Sequence, residues 1–183
     1  FRRKEEQHRL VLQPEIGVSL GGVRLPSGLV AGHRLELLLE TLLAPVLAER
    51  DFDSLPIPFR ATAADLETGE LVVLGTGDLA RAIRASMAVP AAFTPVERQG
   101  RRLVDGGVTD NLPVAAVRQM GAAYVIAVDV CRPGQHRRLG PFGAIVSAIE
   151  TLVRRSGGGI TTADCLISPD LAGFSYVRFS QRE

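Results

Sequence analysis

The chain has 183 residues, 46% of them hydrophobic and 22% charged, with a formal net charge of +1. This length allows one sizeable core and does not require a second, and the composition is that of a folded rather than a disordered chain. Basic and acidic residues are interspersed, which argues against a nucleic-acid surface, and no apolar run approaches the roughly 20 residues needed to span a bilayer.

In chain order, residues 1–7 are charged and expected to fray, and residues 10–16 read as a short extended stretch. Glycine and proline dominate residues 17–28, the pattern of a loop. Leu35, Leu38, Leu39 and Leu42 then recur at helical spacing, and Pro45 should stop that helix. Residues 57–64 and 71–74, separated by Glu67-Thr68-Gly69, read as a pair of β-strands.

Thr76-Gly77-Asp78 offers capping groups for a second helix, with Leu79, Ala82, Ile83 and Met87 as its apolar stripe. Its Arg81 and Arg84 fall outside that stripe and read as a solvated face. Gln99-Gly100 is a tight hairpin turn between two extended runs, the second ending at Val104-Asp105. Pro113 is suited to the first turn of a helix reaching Met120, with Gly121 just past its end.

The apolar run 124–128 suggests a strand buried on both faces, as in a parallel sheet covered by helices. A helix carrying Ile145, Ala148, Ile149, Leu152 and Val153 on one face follows, and then a last strand at 165–167. The intervening run Ser156-Gly157-Gly158-Gly159 reads as a flexible loop or as a gap in the natural sequence near 156–160. Alternating helices and strands make the class α/β.

The nine residues 105–113, D-G-G-V-T-D-N-L-P, carry the strongest chemical signal. They place the Asp105 carboxylate at a strand end, where backbone rather than a loose loop holds it, and Gly106 and Gly107 leave room for close approach. The plainer reading is an aspartate that closes a turn by bonding backbone amides. The preceding strand-like run and the helix start eight residues on favour a chemical role.

A nucleophile is harder to find. Residues 17–21 spell G-V-S-L-G, but Ser19 is followed by G-G-V-R-L-P, which cannot form the immediate helix that a nucleophile elbow needs. His8, His33 and His136 are scattered, so neither a Ser-His-Asp triad nor a two-histidine metal site is supported. Cys131 and Cys165 lie far from any companion ligand and read as buried thiols rather than a zinc site. Asp129 either lines a crevice at a strand end or closes a turn. Gly75-Thr76-Gly77 lacks the third glycine of a phosphate loop.

Taken together, four segments resemble the bacterial patatin-like phospholipases. Residues 52–70 resemble that family's strand pair. Residues 85–95, A-S-M-A-V-P-A-A-F-T-P, resemble its A-S-x-A-x-P-x-x-F-x-P signature. Residues 105–113 resemble its D-G-G/A-x-x-x-N-x-P motif, and residues 122–130 the strand that follows. The resemblance covers nearly the whole chain, from about residue 10 to 179.

The resemblance implies a three-layer α/β/α sandwich with a mostly parallel central sheet, incomplete at its N-terminus. It implies hydrolysis of lipid acyl esters by a serine-aspartate dyad without histidine, cofactor or metal. It also implies a lipid or acyl-ester partner, with peripheral membrane contact, rather than a nucleic acid. Asp105 matches the catalytic aspartate, and Gly106 and Gly107 complete its motif. The family's serine elbow and glycine-rich oxyanion loop would precede Phe1, making residues 1–183 a single partial domain. A catalytically dead lipid-binding or regulatory relative would share these segments, as would, more distantly, an unrelated metabolite-binding α/β domain.

Overall fold

A computed structural model describes residues 17–19, 22–24, 32–131 and 140–171. Two compact units divide the chain, residues 1–111 and 112–183. The α/β class holds. In the first unit, strands β3 (Ala61–Asp65), β4 (Leu71–Leu74), β5 (Val96–Arg98) and β6 (Arg101–Asp105) form one antiparallel sheet in the order β4-β3-β6-β5. In the second, β7 (Ile126–Val128) pairs in parallel with β8 (Cys165–Ile167).

Strand β1 (Gly17–Ser19) pairs antiparallel with β2 (Gly22–Arg24), so the stretch expected as loop contains a small hairpin. The run 10–16 lies outside the described residues, as do His8 and His136. Helix α1 (His33–Leu43) continues into a 3-10 turn, Ala44–Val46, at Pro45. It packs on α2 (Leu79–Ser86), which lies across β3, β6 and β5. Small side chains allow that close approach: Ala61 and Ala63 on the sheet meet Ala82 and Ala85 on the helix, filled in by Leu79, Leu103, Val96 and Phe52. Phe52 and Leu103 are fully buried, each contributing about 1.5–3 kcal/mol of apolar burial.

Local chemistry explains the borders. The Asp78 carboxylate accepts from the Arg81 N–H (2.9 Å) and caps α2. Gly69, with φ of 73°, closes the β3–β4 turn, where Asp65 Oδ1 accepts from the Glu67 N–H at 2.9 Å. The first strand of this pair starts at Ala61 rather than near residue 57. Ile57 lies between Pro56 and Pro58, which have no N–H for a ladder, and it is 79% exposed. On α1, Leu38 and Leu42 are exposed instead of buried.

In the second unit, α3 (Val114–Gln119) begins after Pro113, and Gly121, at φ of 92°, follows its end. Leu112, Val114, Val125 and Ala127 form a small core. Strand β7 buries only alternate residues: Ile126 and Val128 are 59% and 49% exposed, against the expected burial on both faces. Helix α4 (Gly140–Arg155) leads through Ser156 to a 3-10 turn at Gly158–Thr161, so the glycine run is partly helical. Arg118 ties the start of β7 to Asp164: it bonds the Asp164 carboxylate and the Ala123 carbonyl (2.8 Å), and Asp164 accepts from the Val125 N–H (2.7 Å). No helix among the described residues is long and apolar enough to cross a membrane.

Candidate active site

Asp105 ends β6, directly opposite Ala63 of β3, and a 3-10 turn, Gly106–Val108, starts at once behind it. Alternation along the strand puts Asp105 on the same face as Leu103, the face covered by α2. Its backbone N–H donates to the Ala88 carbonyl (3.0 Å), in the loop leaving α2. Its Oδ1 accepts from the Gly107 N–H at 2.8 Å. The residue is therefore held through its main chain by Ala88 and through its carboxylate by Gly107.

Gly106 is required by space, not by a left-handed backbone. A Cβ there would lie 2.7 Å from the carbonyl carbon, the carbonyl oxygen and the Oγ1 of Thr62. The Gly106 carbonyl accepts from the N–H groups of Thr109 (3.0 Å) and Asp110 (2.9 Å), which tightens the turn. Thr109 Oγ1 donates to the Gly69 carbonyl at 3.0 Å, fastening the turn to the β3–β4 connection. Asp105, Gly106 and Gly107 are thus brought together as one rigid corner.

Asp105 is half-buried, and this desolvation pushes its pKa above the ordinary carboxylate value, while the Gly107 N–H pulls in the opposite direction. A carboxylate raised in this way is a better proton acceptor than a solvated one. The turn-closing reading of Asp105 is realised in the bond from the Gly107 N–H, which engages Oδ1.

The other candidates have structural occupations. Ser19 pairs with Gly22 across the β1–β2 hairpin and is followed by a strand rather than a helix. His33 is exposed at the start of α1. Asp129 closes a turn, accepting from the Cys131 N–H at 2.9 Å. The Gly77 N–H of the Gly75-Thr76-Gly77 stretch donates to the Arg50 carbonyl (2.7 Å), and Thr76 forms an isolated bridge with Asp51, which makes this a connection rather than an anion cradle. Cys131 and Cys165 are half-buried, not buried as expected. No cluster of metal-ligating side chains occurs among the described residues.

Two features around Asp105 escape a reading by motif. One is the Ala88 carbonyl, a main-chain group that only the fold can place. The other is Arg84, expected on a solvated face and found 2% exposed. Charge spacing with Arg81 hides it; Arg81 is on the outside of α2, whereas Arg84 points inward toward Gly32 and Phe93.

The patatin-like phospholipase family model matches residues 4–118, more than half of the chain. An uncharacterized NTE family protein of Mycobacterium tuberculosis is 30% identical over 190 residues, covering 88% of this chain and 32% of that protein. Another from Mycobacterium bovis is 38% identical over 104 residues, 57% of this chain and 28% of the relative. The patatin-like phospholipase domain-containing protein 7 of Mus musculus is 36% identical over 87 residues, 46% of this chain and 6% of its own length. The chain thus spans about a third or less of each of these relatives.

Proposed function

The chain belongs to the patatin-like phospholipase family, and on that premise we propose that it carries the base of a serine-aspartate dyad in a lipid acyl-ester hydrolase. The observation that carries this reading is Asp105, a half-buried residue with raised pKa whose carboxylate accepts from the Gly107 N–H and whose own N–H donates to the Ala88 carbonyl. We assign the nucleophilic serine and the oxyanion loop to residues of the longer protein that precede Phe1, because Ser19 lacks the context of an elbow.

In this mechanism Asp105 accepts the serine hydroxyl proton as the serine oxygen bonds to the ester carbonyl carbon. The negative charge moves to the carbonyl oxygen, where backbone N–H donors contribute roughly 3–4 kcal/mol each. Collapse of that intermediate breaks the ester C–O bond, and the Asp105 proton passes to the departing alcohol. Water then cleaves the acyl-serine by the same route, with Asp105 as base and finally as acid. Burial raises the carboxylate pKa, the direction that a base acting without a histidine relay requires. The substrate is an acyl ester of a lipid, presented at a membrane or micelle surface, and no cofactor takes part.

Asp105→Asn in the full-length protein is the decisive experiment. The amide still accepts from the Gly107 N–H but cannot take a proton. Hydrolysis of a p-nitrophenyl acyl ester should fall by about a thousandfold or more, in a variant whose Tm is no lower than that of wild type, by analogy with loss of other essential bases. Retained activity would remove Asp105 from the mechanism. A full-length wild type without ester hydrolysis would instead mark a lipid-binding or regulatory relative.

A further inference from the structure

Arg84 lies in α2, two residues before the helix ends, with its side chain buried against Gly32 and against Phe93 and Thr94 of the following loop. Nη2 donates to the Thr94 carbonyl at 3.1 Å, and the guanidinium lies 5.1 Å from the centre of the Phe93 ring. Gly32 packs so closely that a Cβ there would collide with the guanidinium. Among the described residues no carboxylate lies within ion-pair distance of Arg84, Glu36 on α1 attracts it only from farther away while pairing with Arg81, and the Arg84 Nη1 is buried without a hydrogen-bond partner. A buried cation so placed is costly, and an apolar side chain would fill the space more favourably. Stability alone therefore does not account for it.

What the guanidinium touches suggests its purpose. The loop 87–95 between α2 and β5 turns tightly, through bonds from the Ala92 and Phe93 N–H groups to the Val89 carbonyl (3.1 and 3.0 Å). It also holds Ala91 at φ of 67°, a region disfavoured for any residue with a Cβ. Such a loop needs to be held from outside. At its far end, Arg84 holds Thr94 and Phe93. At its near end, the Ala88 carbonyl accepts the Asp105 N–H.

We propose that Arg84 is a positioning residue for Asp105: it clamps the 87–95 loop to α2, and the loop fixes the end of β6 from which the carboxylate projects. The inference rests on the reading of Asp105 as the dyad base. A planar fork suits the task, because it donates to a carbonyl while its charge lies over the Phe93 ring. Lysine supplies the charge and a donor but no plate.

The test compares Arg84→Met and Arg84→Lys with wild type in the full-length protein, reading amide hydrogen exchange and p-nitrophenyl ester kinetics. In Arg84→Met the Asp105 and Phe93 amides should exchange at least about tenfold faster, while the β3–β4 ladder keeps its protection. kcat should fall about ten- to a hundredfold with KM within about twofold, the signature of a misplaced base rather than lost substrate binding. Arg84→Lys should recover part of both losses.

Unchanged exchange at Asp105, or faster exchange with wild-type kcat, would overturn the proposal. So would a loss of protection spread evenly over the sheet, which marks a merely structural residue. If Arg84→Met does not fold, Phe93→Leu is read in its place, and an unaltered Asp105 amide there overturns the proposal equally. The exchange measurement needs no activity. A wild type that hydrolyses nothing therefore removes the hydrolase reading and leaves the clamp to be decided by exchange alone.

Discussion

Asp105 meets two demands that oppose each other. Burial makes its carboxylate a stronger base, but the same burial makes the ionised form cost stability. Its folded pKa lies above the unfolded value, so the cost is absent below about pH 3.9, where both states are protonated. It appears as pH rises past the unfolded pKa and is complete above the folded one. Asp105→Asn removes the charge and keeps an oxygen for the Gly107 N–H. The variant should therefore melt above wild type at pH 7, and the gap should close as pH falls toward about 4. Melting curves across that range check it. A variant that melts lower at pH 7 would mean that the ionised carboxylate stabilises the fold and that its pKa is not raised. Asp105 was legible in the sequence because its signals are local: a strand-like run before it, two glycines and a helix start after it. Arg84 was not legible, since its burial depends on Gly32 and Phe93, which only the folded chain brings to α2.

At the scale of elements, the β5–β6 hairpin shows how far local chemistry reaches. Gln99 and Gly100 both have positive φ, 51° and 76°, the geometry of a two-residue type I′ loop. That turn was readable from Gln99-Gly100 between two extended runs, and it matters to the site because it sets the register of β5 against β6, the strand that ends at Asp105. Glutamine is nonetheless a poor choice for the first position, where asparagine tolerates the left-handed region better. Gln99→Asn should raise stability by about 0.5–1 kcal/mol without altering ester hydrolysis. Chemical denaturation checks the gain, and a destabilised variant would show that the glutamine side chain makes a contact worth more than the backbone strain. Other borders were less legible. Propensity makes Ile57 look like strand, but the flanking prolines deny it ladder bonds, so pairing waits until Ala61.

For the whole molecule, the two units differ in how much they can support by themselves. The first has a four-stranded antiparallel sheet, a covering helix and a core around Phe52 and Leu103. Among its described residues the second has a two-stranded parallel sheet and a core of four buried side chains, while Ile126, Val128, Leu166 and Ile167 are exposed. Parallel pairs occur almost only in sheets covered on both faces, and two strands rarely hold without further strands or helices. Apolar strands open in this way are also templates for aggregation. Residues 1–183 expressed alone should therefore elute as soluble aggregates, bind a hydrophobic dye, unfold without a sharp transition and hydrolyse no ester. The full-length protein should do the opposite in each respect. Size-exclusion chromatography, thermal unfolding and the ester assay, run side by side, decide the matter. A monomeric, cooperatively folded and esterase-active preparation of residues 1–183 would place every catalytic part within them. Ser19 would then return as the candidate nucleophile despite its hairpin, and Ser19→Ala would have to abolish the activity.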